Sequence, residues 1–361
     1  MSKLDTAREI INRVDKEMAR LFEERMDAAR LVAEHKKEYG LPIDDPAREE
    51  ELKRRNSAYI ENEEYRSYYL GFLENNIKLS KALQHRLLEG MTVAYSGVPG
   101  AFAALSAKRI FPDARTVPYA DFKAAYRAVE KGECDVVVLP IENSAGGDVG
   151  NVLDLTFFGS LYINGVYEAQ ITQNLLAVPG AALSDIKKVI SHPQALGQCA
   201  AYIERQGFLT ESAENTALAA KAVAETGDKS VAAIASKKAA EKFGLSVIDH
   251  DINAARNNTT RFAIFSRVSN ASSAKSPDLH SILLFTVRNE AGALAKALDV
   301  IGSFGFNMRT LRSRPMKELL WEYYFYVETE GNIQTDRGQD MLGALEVFCD
   351  KLKFAGTYTK L

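Results

Sequence analysis

Residues 18–32, MARLFEERMDAARLV, decide how the amino-terminal part of the chain folds. Met18, Leu21, Ala28 and Val32 continue a series begun by Leu4, Ala7, Ile11 and Val14. Its alternating three-and-four spacing is that of a helix face turned toward other helices. Position 25 lies on the same face and is Arg. Lys36 follows eleven residues later, so the two cations point within about 20° of each other, roughly 16 Å apart along the axis. Both long side chains can lean into one gap.

The first helix should run from about residue 4 to the YGLP break at 39–42, a length that suits an exposed strut or an intersubunit helix. In DDPAREEELKR (44–54), Asp45 reads as an N-cap with Pro46 at the first helical position. A third helix covers roughly 64–88, where Leu70, Leu73, Ile77, Ser80, Gln84 and Leu87 repeat the seam spacing with two polar residues one turn apart. A buried Arg needs an anion, and buried Ser and Gln need partners. Either these groups satisfy one another, the simpler reading of the spacing alone, or they enclose a negatively charged ligand.

From Met91 the pattern changes to short β-rich runs alternating with amphipathic helices: TVAYSG (92–97), DVVVLP (135–140), KKVIS (187–191) and SVAAIAS (230–236). SNASSAKSP (269–277) is a small-polar stretch that reads as a linker. Beyond it, HSILLFTVR, a helix over 292–304, MRTLRSRP, LWEYYFYVET, a helix near 335–351 and KFAGTYT give the order βαββαβ of a ferredoxin-like module. The divisions are therefore 1–89 all-helical, 90–268 α/β, 269–277 linker and 278–361 ferredoxin-like.

With 361 residues, 46% of them hydrophobic, the chain suits several compact domains. A net charge of -3 gives no field favouring nucleic acid or an anionic membrane. No apolar run is long enough to span a bilayer and no signal-peptide core begins the chain, so a cytoplasmic protein is expected. Cys134, Cys199 and Cys349 have no metal-ligand or redox spacing.

In the α/β segment, PIENSAGG (140–147), ISHPQALGQC (190–199), AENTALAA (213–220) and IASKKAA (234–240) each stand where a strand or loop gives way to a helix. They present hydroxyls, amides and backbone N–H groups beyond the strand ends. Ordinary capping explains any one of them, Ser236 or Thr216 in particular, but less easily all four together. NNTTRF (257–262) sets two hydroxyls and Arg261 against a returning strand.

Three resemblances follow from these strings. Arg8, Arg25, Lys36, DPARE (45–49) and LSKALQ (79–84) together resemble the all-helical chorismate mutases. The family's site residues would then be Arg8, Arg25, Lys36, Asp45, Arg48, Glu49, Ser80 and Gln84, although an ungapped match would take Asn76 and Ser80 for the last pair. The resemblance implies a dicarboxylate substrate held by arginines, which gives Arg25 its anion. Chorismate would rearrange to prephenate without cofactor, with Lys36 and Gln84 stabilising charge on the ether oxygen and Glu49 among the catalytic groups. Arg8 lies roughly 25 Å along and about 100° around the helix from Arg25, so it would serve the pocket of a second subunit, implying an intertwined homodimer or a homotetramer built from one.

YSGVPGAF (95–102), PIENS and TRF resemble prephenate dehydratase, whose fold has two α/β lobes of periplasmic-binding-protein type with the site in the cleft. Carried over, Asn143, Ser144, Ser191, Thr260 and Arg261 form the substrate site, with Thr260 donating a hydrogen bond to the hydroxide leaving prephenate. The chain departs from the family at Ala101, Ala103 and Ala104, where hydroxyls and a His are frequent, and at Gln173, where a His is frequent. No GxGxxG fingerprint supports NAD-dependent oxidation of prephenate instead.

NEAGALAKAL (289–298) and LRSRP (311–315) resemble the ACT regulatory domain fused to such dehydratases. That implies phenylalanine as allosteric effector, bound by Gly292, Ala293, Leu294, Ser313, Arg314 and Pro315, with Arg312 replacing the usual acid. Over its whole length the chain thus resembles the bifunctional enzymes that take chorismate to phenylpyruvate, and no metal or organic cofactor is implied. The rivals are a chain with one active domain and a noncatalytic two-lobed binding or sensor protein. Thr260 and the seam cations argue against the latter, since a binder has no need of both.

Overall fold

The computed structural model describes residues 2–254, 258–270, 278–316 and 322–361. The chain folds as two compact units, Met1–Thr92 and Val93–Leu361. No helix among the described residues is long and apolar enough to cross a membrane.

The first unit is helical. Helix α1 (Lys3–Tyr39) opens on a capping box between Ser2 and Asp5 and stops at Gly40, whose φ of 63° is left-handed. Helix α2 (Pro46–Ser57) begins after Asp45, whose carboxylate accepts the Arg48 N–H at 3.0 Å. Helix α3 (Glu63–Glu89) is capped by Asn62. All three expected helices are present. The seam of α1 is different from the one expected: Ala29 and Ala33 are buried against α3, while Leu4, Ile11, Val14, Met18, Leu21 and Val32 stay 38–57% exposed. On α3, Leu73, Asn76, Ile77, Ser80 and Gln84 are buried. So thin an apolar core does not offset the ordering of three helices, and the uncovered stripe of α1 is surface that calls for a partner.

The second unit begins with β1 (Thr92–Ser96), α4 (Phe102–Ile110), β2 (Arg115–Tyr119), α5 (Phe122–Glu130), β3 (Val136–Asn143), β4 (Gly147–Asp148), α6 (Gly150–Phe158) and β5 (Tyr162–Gln170). It continues with β6 (Asn174–Ala177), β7 (Lys188–Ser191), α7 (Pro193–Gln198), α8 (Ala200–Gln206), β8 (Leu209–Ser212), α9 (Thr216–Thr226), β9 (Val231–Ala235), α10 (Lys237–Phe243), β10 (Ser246–Asp249) and β11 (Thr259–Ser266). Strand β11 returns to the first sheet, ordered β2-β1-β3-β11-β5 with β4 beside β3, while the second sheet is β10-β6-β9-β7-β8. Two lobes, a large one on the first sheet and a small one on the second, therefore exchange the chain twice, and the two crossings are bonded to each other: Ile171 N–H donates to Asn258 C=O at 2.7 Å and Ile252 N–H to Gln173 C=O at 2.8 Å. DVVVLP leads into a hairpin, β3–β4, before its helix, a strand that the repeating βα pattern did not anticipate.

The last part is β12 (Leu279–Val287), α11 (Ala293–Ser303), β13 (Met308–Pro315), β14 (Tyr323–Glu330), α12 (Asp336–Glu346) and β15 (Cys349–Thr359), in the sheet order β13-β14-β12-β15. This is the expected βαββαβ order. One face of the sheet packs on α11 and α12 through Leu283, Phe285 and Val327. The other face joins the core of the large lobe, with Ile282, Leu284, Tyr324 and Tyr326 among Leu139, Ile141 and Phe265. Both faces being covered explains why β12 is a nearly continuous apolar run rather than an alternating one. The expected linker lies outside the described residues from 271 to 277, as do Asn257 of NNTTRF and Leu320 and Trp321 of LWEYYFYVET.

Candidate active sites

In the helical unit, the half-buried Arg25 reaches α3 and donates through Nη1 to the Asn76 carbonyl at 3.0 Å and to the Ser80 hydroxyl. Burial pulls the guanidinium below its ordinary pKa, a cost that an anion in the gap would relieve. Asn76, Ser80 and Gln84 share one buried face, so both alternatives for the last pair lie along it; Gln84 Oε1 has no partner among the described residues. Lys36 Nζ donates to the Ile43 carbonyl at 2.6 Å. Glu49 accepts from Lys81 at 2.8 Å, and Lys81 also pairs with Asp44, two bonds that raise the ammonium above its ordinary pKa. Lys81 was not foreseen, because the seam spacing weighs only inward positions. Arg48 lies along α2 in an exposed pair with Glu51, Asp45 is spent on its cap, and Arg8 is exposed near the start of α1.

In the second unit the constellation forms where β3 and β11 end side by side, with Thr260 opposite Asn143 in the register. Asn143 Nδ2 donates to Thr260 Oγ1 and to Asn258 Oδ1, each at 2.9 Å. Its Oδ1 accepts from the backbone N–H groups of Ala145 (3.0 Å) and Gly146 (2.7 Å), and from Gln194 Nε2 (3.2 Å) on the small lobe. Because Thr260 Oγ1 is the acceptor toward Asn143, its own O–H is left to donate outward. Ser144 fastens the two strands, its Oγ accepting the Thr259 N–H at 2.9 Å. Gln198 stands 3.5 Å from Asn143 Oδ1 and accepts from Gln173 Nε2 at 3.2 Å. The buried Gln173 Oε1 and Asn258 Nδ2 have no partner among the described residues, as expected beside a position for a polar ligand. A cavity of about 470 Å³ opens next to the group, lined by Gly146, Asp148, Asn151 and Gln194 among others.

Two expected site residues do not join it. Arg261 follows Thr260 in a strand, so its side chain leaves the opposite face. There it bonds Glu142 (3.1 Å), Glu328 (3.0 Å) and the Tyr358 hydroxyl (2.7 Å). Burial opposes its charge, but Tyr358, Glu328 and Glu142 more than offset that and raise its pKa. Ser191 is fully buried, and its hydroxyl donates to the Ile234 carbonyl at 2.6 Å, inside the small lobe. Conversely, Gln194, Gln198 and Asn258 were missed; the four-residue spacing of the two glutamines on one helix face was the available signal. Ser236 caps α10 and also donates to the Gly100 carbonyl across the lobes at 3.3 Å, while α9 is capped by Asn215 rather than by Thr216. Among the described residues no group of three or more His, Cys, Asp or Glu is arranged to hold a metal.

In the last module Gly292, with φ 81°, caps α11 without a side-chain bond; the Ala293 N–H donates to the Glu290 carbonyl at 3.2 Å, so the helix start at Leu294 is what offers a backbone N–H. Ser313 and Pro315 are exposed on the edge strand β13. Arg314 alternates to the other face, where it donates to Asp154 at 3.2 Å and so anchors the module to α6 rather than joining Ser313.

Residues 7–85 match the type II chorismate mutase family and residues 93–270 the prephenate dehydratase family. The bifunctional chorismate mutase/prephenate dehydratase of Neisseria gonorrhoeae is 32% identical over 358 residues, spanning 97% of this chain and 95% of its own. The chain belongs to the bifunctional chorismate mutase/prephenate dehydratase family. Arogenate dehydratase/prephenate dehydratase 1 of Arabidopsis thaliana is 35% identical over 280 residues, 74% of this chain and 71% of its own. A prephenate dehydratase from Arthrobacter aurescens, solved with L-Phe, superposes with a TM-score of 0.69 at 28% identity over 74% of this chain and 90% of its own. Against that family, Gln173 in place of a frequent His still reaches the cluster through Gln198, while Ala101 gives α4 no side-chain cap.

Proposed function

We propose that the chain catalyses two successive steps of phenylalanine biosynthesis. Chorismate rearranges to prephenate in the helical unit, and prephenate loses carbon dioxide and water to give phenylpyruvate at the β3–β11 site. The observation that carries the reading is the Asn143–Thr260 pair: a threonine hydroxyl held as acceptor by an amide keeps its proton for an oxygen outside the network. In the second step the ring carboxylate leaves as carbon dioxide, its bonding electrons aromatise the ring, and the ring C–O bond breaks. Thr260 donates a hydrogen bond to the departing oxygen, which takes a solvent proton to become water. Gln194, Gln198 and Asn258 orient the substrate with Asn143, and Ser144 holds the strand ends together.

The first step breaks one C–O bond and makes one C–C bond with no proton transferred. Arg25 holds a substrate carboxylate, Lys36 and Gln84 face the ether oxygen, and Glu49, fixed by Lys81, orients the substrate beside Ser80. The exposed stripe of Ile11, Val14, Met18 and Leu21 packs on a second copy, which supplies Arg8, so the enzyme is a homodimer or a tetramer of such pairs. The carboxy-terminal module is an ACT domain binding phenylalanine at Gly292–Leu294 and Ser313, whose differential affinity for the less active arrangement makes the product's amino acid a feedback inhibitor. Work in the cytoplasm without cofactor fits both chemistries.

Product analysis tests this. The purified chain given chorismate should release phenylpyruvate, and given prephenate should do so without a lag. Accumulation of prephenate would reduce the second unit to a binding lobe, while untouched chorismate beside consumed prephenate would make Arg25 a structural residue.

A further inference from the structure

Glu142 and Asp148 are paired neighbours on the β3–β4 hairpin, whose turn carries Asn143, Ala145 and Gly146. Two like charges directly opposite each other push strands apart. Both are partly buried, and burial, with Glu142 adding to it and Arg312 opposing it, raises the Asp148 carboxyl above its ordinary range. A single guanidinium answers both: Arg312 of β13 donates from Nη2 to Glu142 Oε1 at 2.5 Å and pairs through Nη1 with Asp148. The other oxygen of Glu142 is taken by Arg261 at 3.1 Å, itself gripped by Glu328 of β14. The sequence neighbours of Glu142 and Arg261 are Asn143 and Thr260, on the opposite face of the same two strands.

We infer that Arg312 is a positioning residue for the dehydratase reaction, a clamp from the carboxy-terminal module that holds the two stems of the Asn143 hairpin together from behind. It touches no reacting atom and acts through Glu142 and Asp148. The inference rests on the dehydratase reading of the β3–β11 site. Its consequence is that the seat of β13 sets the geometry of Asn143, so a shift of the module is felt at the site through two ion pairs rather than through a change in substrate contacts.

The test uses the full chain. Arg312→Ala should lower kcat for prephenate about ten- to hundredfold with KM changed by less than about threefold, since misplacement of a held group costs turnover more than binding. Arg312→Glu should cost more, and Arg312→Lys, a point charge that cannot fork between two carboxylates, should fall between wild type and Ala. Adding Asp148→Asn to Arg312→Ala removes the opposed charge and should restore kcat to within about threefold of wild type, a rescue expected only of coupled neighbours. Chorismate turnover in the helical unit should stay unchanged and serves as the folding reference. An Arg312→Ala kcat within about twofold of wild type, or a loss that Asp148→Asn leaves unrepaired, overturns the clamp. Hydrogen exchange of the peptide spanning 141–150 separates the two levels. If wild type leaves prephenate untouched, the dehydratase reading falls, and faster exchange in Arg312→Ala reversed by Asp148→Asn still supports the clamp, whereas unchanged exchange overturns it.

Discussion

In the helical unit the site groups are cations set among uncovered apolar surface, and Arg25 pays for its burial with a lowered pKa. At the strand ends of the second unit they are neutral amides and one hydroxyl, bonded to one another and drawn from both lobes of the same chain. The difference follows from the two reactions. A pericyclic step on a dianion needs charge complementarity and a fixed conformer, which a seam of cations would supply with the second copy proposed above. Expulsion of hydroxide needs a donor whose direction is fixed, which an amide network bonded to Thr260 supplies. On the proposed reading, one site is assembled by association and the other by folding.

The largest effects are expected at the two central residues. Arg25→Ala should reduce chorismate turnover by at least about 10³-fold, and Thr260→Val should reduce prephenate turnover by about 10²-fold, the range seen when a donor to developing charge is removed. Each should leave the other reaction intact, as steady-state assays on both substrates will read. Loss of both reactions in either variant would mean that the two sites are not independently built.

A smaller effect is expected where the two lobes meet at the strand ends. Gly146 lies so close to Gln194 that an added Cβ would overlap the amide nitrogen. Gly146→Ala should therefore push Gln194 off Asn143 and lower prephenate turnover about tenfold, the cost of a modest misplacement. Gln194→Ala should cost a similar amount, and the double variant little more than either, because both remove one interlobe bond. Additive losses would show that Gly146 serves something other than Gln194.

Much of this was legible in the sequence, and the parts that were not have physical reasons. The caps at Asp45–Pro46 and Gly40 set the helices because capping is local chemistry. Arg25 in its seam was legible as an anomaly of period. Its partners were not, since which face of α1 meets α3 depends on tertiary packing, and α3 chose Ala29 and Ala33. The string TRF hides a strand: adjacent residues in it face opposite ways, so Thr260 and Arg261 cannot both line one cleft. Ser191 ends a central strand flanked by β8 and β9, where its hydroxyl has a carbonyl to satisfy before any ligand.

The smallest expected effect lies in the helix that delivers Gln194 and Gln198. His192 caps α7, its Nδ1 accepting the Gln194 N–H at 3.2 Å, a bond possible only while Nδ1 carries no proton. Burial holds the imidazole below its ordinary pKa of 6.5, so the unfolded chain takes up the proton more readily than the folded one. The contribution to stability is thus complete above the unfolded value and is lost as pH falls through it toward and past the depressed folded value. Asn caps a helix as well as His and does not titrate, so His192→Asn should remove this component. Between about pH 7.5 and about pH 5.5 the drop in thermal midpoint of the second unit should be smaller in the variant by about 2 °C. Equal drops in the two proteins would assign the acid sensitivity to other groups and leave α7 capped at every pH, and with it the tether between the lobes.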